Sequence, residues 1–357
     1  MPAAEFQHRA MSLATPTPIP LSATRSAVEK AMGGRVLASR YKVGHAIGVG
    51  GMGCVYSALD LHTGREVAIK GLTSASANGT NRRRLHREAE CTAPFNHRNV
   101  CEIYGLAHHG HVPFIVMERL RGETLRDRLS EVGALSVSDA VTITFQILDG
   151  LGAAHAAGIM HRDVKPANIF ITSPRGAPPT IKIVDFGLAR RLPYALGANE
   201  DLITDADAIP GTPNYMAPEQ LAGVPDLDAR LDIWAVGLTL WEMLIGRRAY
   251  EGTVHLELAR KICLERPAPP SSLRCDVPEE LDAIVKRAVE KDRRARFSSA
   301  AHMHGVLLDV WIRHYTAEEL GISSGRKFRP DALTLPDTDS VERGSGESTD
   351  IPISVSA

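Results

Sequence analysis

Four short stretches of this sequence carry residue types that could act on phosphate. Gly48-Val49-Gly50-Gly51-Met52-Gly53 spaces its glycines as G-x-G-x-x-G. A backbone without Cβ atoms can bring its N–H groups close to an anion. The same spacing occurs in dinucleotide-binding turns, which need a helix directly after the glycines and an acid ~20 residues further on. Glu66 lies near that acid position. Seventeen residues beyond Gly53, Val67-Ala68-Ile69-Lys70 ends an apolar run on one ammonium, suited to phosphate oxygens. Glu88, in Arg87-Glu88-Ala89, offers a carboxylate to hold that ammonium; on its own it reads as an ordinary surface charge.

The densest stretch is Met160-His161-Arg162-Asp163-Val164-Lys165-Pro166-Ala167-Asn168. Asp163 could orient an attacking hydroxyl and take its proton. Lys165 could neutralise a transferring phosphoryl group, and Asn168 could hold a metal. Twenty-two residues after Asp163, Ile183-Val184-Asp185-Phe186-Gly187 adds a second carboxylate at a strand end. Mg²⁺ needs only one or two carboxylates besides phosphate oxygens and water, so Asp185 with Asn168 suffices.

These residues need a scaffold that brings them together, and the pattern around them supplies one. Tyr41–Ile47, Cys54–Asp60 and Glu66–Gly71 have strand composition, with His62-Thr63-Gly64 as a turn between the last two. Cys54-Val55-Tyr56-Ser57-Ala58 continues the glycines as a strand, which favours a hairpin over phosphates. A charged, helix-like stretch follows at 81–93, then strand-like runs at Val100–Leu106 and Val112–Glu118. Beyond Gly122 the period becomes helical, over Thr124–Leu129, Ser136–Ala157, Ala229–Ile245, His255–Glu265 and Glu279–Glu290. The expected fold class is α+β: a small β-rich lobe (40–118), a hinge (118–122) and a larger helical lobe (122–314).

Composition excludes several classes. The 357 residues are 44% hydrophobic, too apolar for a disordered chain, and long enough for two or three units at ~100–200 residues each. Forty-one Lys and Arg against 42 Asp and Glu leave a net charge of −1, without the blanket basic surface of a nucleic-acid binder. Arg82–Arg84 and Arg293–Arg296 read as solvated or ion-paired faces, and His108, His109 and His111 as a solvated turn. Cys54, Cys91, Cys101, Cys263 and Cys275 are scattered, as reduced thiols are. No apolar run reaches ~18 residues, and the N-terminus lacks a signal-peptide stretch, so a soluble cytoplasmic protein is expected. Residues 1–39, with a short helix near Arg25–Met32, and 315–357 read as disordered arms. Within the latter, 331–357 holds six acidic and eight Ser or Thr residues.

Taken in order, the glycine loop, V-A-I-K, the helix Glu, H-R-D-x-K-P-x-N, D-F-G and Ala217-Pro218-Glu219 resemble bacterial eukaryotic-type (Hanks-type) Ser/Thr protein kinases over about 41–314. The resemblance implies a bilobal fold and ATP with Mg²⁺, or Mn²⁺. The nucleotide would meet Ile47, Gly48, Val49, Gly50, Gly51, Met52, Gly53, Cys54 and Val55, together with Lys70, Glu88 and Glu118. Asp163, Lys165 and Lys70 would be catalytic, Asn168 and Asp185 metal-binding. Asp232 of Asp232-Ile233-Trp234 would brace the catalytic loop, and Arg296 would pair with Glu219. Arg293 stands where the family usually has Pro. Protein substrates are implied rather than nucleic acid or membrane, with a transient homodimer for autophosphorylation in trans. Two other readings, a silent scaffold and a small-molecule phosphotransferase, fit less well. Lys70, Asp163 and Asp185 are all present, and 35 residues run from Asp185 to Glu219.

In this family an Arg before the catalytic Asp marks control by a phosphate on the activation segment, which makes Arg162 and Thr204 the regulatory pair. Thr204 is the only Ser or Thr in 188–210; Thr212 is a second regulatory candidate, phosphorylated in some members of the family, but its bracing of Lys165 makes it the poorer one for activation. A phosphate on Thr204 would add about −1.5 to −2 charge for Arg162 to bind. Thr204→Ala should therefore lower phosphotransfer relative to wild type in parallel assays with phosphosite mapping. Equal rates, with Thr204 phosphorylated in the wild type, would remove it from control.

Overall fold

A computed structural model describes residues 34–50, 53–72, 95–110, 112–173, 178–186, 213–252 and 254–314. Gly51, Met52, Glu88, Thr204, Thr212, the stretches 25–32 and 81–93, Arg82–Arg84, Cys91, His111 and the tail 315–357 lie outside them.

The small lobe is one antiparallel sheet of strands β1 (Val36–Leu37), β2 (Tyr41–Gly50), β3 (Gly53–Asp60), β4 (Glu66–Leu72), β5 (Ile103–His109) and β6 (Val112–Glu118), in the order β1-β2-β3-β4-β6-β5. It takes in residues ahead of position 40: Val36 and Leu37 pair with Lys42 and Tyr41, and Leu37 is buried. Gly50 faces Gly53 across the tip of the β2–β3 hairpin, and a strand rather than a helix follows the glycines. That removes the dinucleotide-turn alternative. Asp60 builds the next turn, accepting from His62 N at 3.1 Å and Thr63 Oγ1 at 2.9 Å, while Arg40 grips both its oxygens. Period-2 alternation then sorts β4. Val67 and Ile69 enter a core with Tyr41, Tyr56, Phe114 and Cys54, and Lys70 falls on the other face. Cys54 is thus a small core residue.

The chain leaves β6 at Glu118 and passes Gly122, where an added Cβ would lie 1.9 Å from Ile171 O. Only glycine tolerates that approach at φ 144°. A second sheet follows, of β7 (Glu123–Thr124), β8 (Ile169–Ile171) and β9 (Ile181–Ile183). Helix α1 (Leu125–Val132) starts from a capping box between Thr124 and Asp127, and α2 (Val137–Ala156) from Ser136, whose hydroxyl accepts Asp139 N at 3.0 Å. The remaining helices are α3 (Pro218–Leu221), α4 (Arg230–Ile245), α5 (His255–Leu264), α6 (Pro270–Leu273), α7 (Glu279–Ala288) and α8 (Ala300–His314). Every residue of α4 from Leu231 to Leu244 is buried, so this helix is the axis of the large lobe. Gly237 lets α7 approach it, since a Cβ there would meet Ala288 Cβ at 2.6 Å. No helix among the described residues is long and apolar enough to cross a membrane.

The lobes are stitched along one seam. Asn99 accepts from Ile183 N at 2.8 Å and donates through its side chain to Ile181 O and Gln146 Oε1. Cys101 N donates to Ile183 O at 2.9 Å, and Lys182 pairs with Glu118 at 2.9 Å. Burial beside these groups pushes the Cys101 thiol up to about 12, so it stays a neutral packing residue.

A buried ion pair closes the large lobe. Arg296, with no exposed side-chain surface, donates to Glu219 at 2.6 and 2.8 Å and to the carbonyls of Glu290 and Arg230. Arg293, in place of the expected proline, pairs instead with Asp226 and Asp228. Removing one partner of a buried pair typically costs about 3–5 kcal/mol, because the other charge stays desolvated. Glu219→Ala should lower the urea-unfolding free energy of the full chain by about that much, whereas Asp226→Ala, at the exposed rim, should cost under ~1 kcal/mol.

Candidate active site

Strand β4 lies between β3 and β6, with Lys70 facing Val55 on one side and Ile115 on the other. A central strand fixes the Lys70 backbone, and its ammonium crosses to the large lobe to meet Asp185 Oδ1 at 2.7 Å. The expected partner Glu88 is outside the described residues, so the pairing the structure describes is Lys70 with Asp185. Burial alone would raise the Asp185 carboxyl. The Lys70 ammonium outweighs it, helped by His161 and Lys165, and holds the group below the usual carboxylate range.

Asp185 adopts φ 62°, and Arg162 φ 68°. Left-handed backbone at non-glycine residues costs of order 1–3 kcal/mol and persists only where the surroundings fix it. At Arg162 the fixing groups are visible. Its N–H donates to Asp232 Oδ1 at 2.8 Å, and its carbonyl accepts from Gln220 Nε2 at 3.1 Å. Asp232 Oδ2 takes His161 N at 2.9 Å and His155 Nε2 at 2.8 Å. His161, itself fully buried, donates from Nε2 to Val184 O at 2.9 Å, so its Nδ1 is left to accept Asp163 N at 3.2 Å. Phe186 packs edge-on against the His161 ring with centroids 4.7 Å apart. One imidazole thus ties the Asp163 backbone to the strand end that carries Asp185.

Within the loop, Lys165 Nζ reaches both Asp163 oxygens, at 2.7 and 2.9 Å. Asn168 donates from Nδ2 to Asp163 O at 2.8 Å and Oδ2 at 3.1 Å. Its amide nitrogen is therefore committed, which leaves the carbonyl oxygen as the free acceptor. Asp163, Lys165, Asn168, Asp185 and Lys70 form one polar cluster at the lobe seam. Among the described residues no carboxylate pairs with the Arg162 guanidinium.

The remaining sequence candidates sit around this cluster. Ile47, Gly48, Val49, Gly50, Gly53, Cys54 and Val55 make the hairpin that precedes β4. The Glu118 side chain pairs with Lys182 and accepts from Glu102 N. Glu219, Asp232 and Arg296 are the scaffold already described. The sequence reading did not single out His155, Gln220 or Asn99. Gln220 directly follows Ala217-Pro218-Glu219, but side-chain amides facing backbone groups leave no spacing signature.

The chain matches the protein kinase domain family over residues 41–311. This chain belongs to the protein kinase family. A probable serine/threonine-protein kinase of Corynebacterium efficiens is 39% identical over 310 residues, covering 84% of this chain and 46% of that protein. Serine/threonine-protein kinase PknB of Mycolicibacterium smegmatis is 37% identical over 279 residues, 77% of this chain and 43% of that one. The kinase chain therefore spans less than half the length of these curated relatives. The crystal structure of the Mycobacterium tuberculosis PknI kinase domain superposes with a TM-score of 0.61 at 26% identity, covering 78% of this chain and 98% of that one.

The kinase loop geometry depends on Asp232 accepting three N–H groups. Asp232→Asn would present an NH₂ to at least one of them. A misplacement of about 1 Å can cost ~10²-fold in rate. Turnover at saturating substrate should fall by about that factor while nucleotide affinity changes little; undiminished turnover would show that the brace is dispensable.

Proposed function

We propose that the chain is an ATP-dependent protein serine/threonine kinase, moving the γ-phosphate of ATP to Ser and Thr hydroxyls of proteins. The observation that carries this reading is the meeting of Lys70 and Asp185 across the lobe seam beside the Asp163–Lys165–Asn168 loop. A silent scaffold would not need all five groups in register.

The donor set suits a hard divalent cation. Asp185 gives Lys70 one oxygen by hydrogen bond, and Asn168 keeps its carbonyl oxygen. A carboxylate plus a neutral oxygen, completed by phosphates and water, is what Mg²⁺ takes, with Mn²⁺ as a substitute. When bound, the ion would offset charge on the phosphate oxygens. The protein's own groups do the positioning. The β2–β3 hairpin covers the phosphates with backbone N–H groups, and Lys70 binds their oxygens. Asp163 orients the acceptor hydroxyl and takes its proton. Lys165, held against Asp163 by two hydrogen bonds, is placed to offset the charge of the group in transfer. Cytoplasmic residence and control through Arg162 and Thr204 belong to the same proposal.

Labelled ATP and Mg²⁺ with a generic protein acceptor test the reading. Phosphoserine and phosphothreonine should dominate, and mainly phosphotyrosine would refute the acceptor class. Asp163→Asn should reduce turnover by roughly 10²–10⁴-fold, the usual worth of a positioned base, with nucleotide binding nearly intact. Full activity in that variant would unseat Asp163 as the base.

A further inference from the structure

The chain passes from the small lobe to the large one through Arg119, Leu120 and Arg121, between two fixed points. On the near side Glu118 pairs with Val67 of β4, donates its N–H to Glu102 O at 2.8 Å and holds Lys182 by its carboxylate at 2.9 Å. On the far side Gly122 lies so close to Ile171 O that no Cβ fits. Among the described residues no turn or loop backbone hydrogen bond fastens 119–121. A side chain of the small-lobe sheet does so instead. Glu66, the first residue of β4, takes Arg119 Nη1 on Oε1 at 2.9 Å and Arg121 Nη2 on Oε2 at 2.6 Å. The hydrogen bond from Arg121, joined by the charges of both guanidinium groups, holds the Glu66 carboxyl below the usual carboxylate range, so this fork is ionised at neutral pH.

Glu66 stands on the same strand as Lys70, four residues ahead of it. Period-2 alternation puts both on one face, about 13 Å apart at ~3.3 Å per residue. Strand β4 is paired on both sides, with β3 and with β6, and so moves as a stiff bar. One end of the bar is tied to the hinge through Glu66, and the other to the large lobe through Lys70 and Asp185. While the fork is made, the hinge moves with the small lobe as far as Arg121. The turn that would part the lobes then falls on Gly122, and its packing against Ile171 resists that turn. Opening therefore has to break the fork.

We propose that Glu66 is a positioning residue for phosphotransfer: by clamping Arg119 and Arg121 it fixes the lobe angle at which Lys70 reaches Asp185, and it slows release of the spent nucleotide. The inference rests on the kinase reading and adds a control of lobe opening to it. The Glu66 side chain is 50% exposed and that of Arg121 74%, so the fork adds little to folding stability. Its effect falls on the opening step, where a factor of a few matters because product release sets the turnover of many enzymes that close over their substrates.

The test follows release of a fluorescent ADP by stopped flow, with Mg²⁺, from the full-length wild type, Glu66→Ala, Arg119→Ala/Arg121→Ala and the triple variant. KM for ATP, KM for a generic protein acceptor and the urea-unfolding midpoint are measured beside it. Glu66→Ala should release ADP about three- to fivefold faster, the scale an exposed ion pair supplies. KM for ATP should rise by a similar factor, while the acceptor KM and the unfolding midpoint stay as in the wild type. The double arginine variant should match Glu66→Ala, and the triple variant should add nothing, because all three break one interaction. Raising salt from ~0.05 M to ~1 M should speed release from the wild type toward the variant rate and leave the variants nearly unchanged. Release from Glu66→Ala at the wild-type rate, additive effects in the triple variant, or an equal salt response in all four proteins would each overturn the proposal. So would an unfolding midpoint that falls in step with the kinetics, which would make Glu66 a structural residue. A wild type that phosphorylates nothing, yet releases ADP under control of the fork, would refute the kinase reading alone; no nucleotide binding at all would refute both.

Discussion

Asp232 projects from the first turn of α4, a helix buried along almost its whole length, and its carboxylate has no exposed surface. A buried carboxylate is expensive unless its oxygens are filled, and here three N–H groups fill them. The position near a helix N-terminus adds a favourable dipole. Two of the three donors are consecutive backbone amides of the catalytic loop. The most rigid element of the large lobe therefore dictates the path of His161 and Arg162, including the left-handed turn at Arg162. Asp163 inherits its place from that turn, and His161 passes the constraint on to Val184 and so to Asp185.

Among the described residues the small lobe joins this frame at few points. Asn99, Cys101 and Glu118 bond to β9 two to four residues ahead of Asp185, and Lys70 then meets Asp185 itself. Two of these contacts, Ile183 N to Asn99 O and Cys101 N to Ile183 O, are backbone hydrogen bonds, insensitive to salt and side-chain entropy. The pairing of Lys70 with Asp185 is therefore set by two rigid sheets in register rather than by a flexible ion pair finding its partner.

Much of this was legible in the sequence. The strands of the small lobe and the start points of α1, α2 and α4 follow from alternation, capping residues and apolar period, and Thr124 and Ser136 announce their helices. The site residues were legible because phosphate chemistry needs particular types at short spacing: Asp163, Lys165 and Asn168 lie within six positions. Strand β1 was missed, since two residues carry no period. Helix α8 was not read as a helix although Ala300, Met303, Leu307, Val310 and Trp311 are buried at helical spacing, a signal diluted by His302, His304 and Gly305. The seam bonds of Asn99 and Gln146 were invisible, because a buried amide facing a backbone group looks in sequence like any surface amide. The histidine pair 108–109 and Arg293 behave as exposed and ion-paired groups, whereas Arg296, two positions beyond Arg294, is fully enclosed. One basic run holds both kinds, and only burial separates them.

The Glu219–Arg296 pair joins residues 77 positions apart. At about 5–20 residues per second, a ribosome needs roughly 4–15 s to make that stretch. In the later part of that interval α4 (Arg230–Ile245) and its brace on the catalytic loop have already been made, while Glu219 still has no Arg296 to draw it inward. The large lobe thus has a built-in order of assembly: the catalytic loop can be seated first, and the segment ending at Ala217-Pro218-Glu219 docks last, when the C-terminal helices emerge. Until then its docking site is an open apolar surface around Trp234, which makes this the window in which the growing chain has most need of a chaperone.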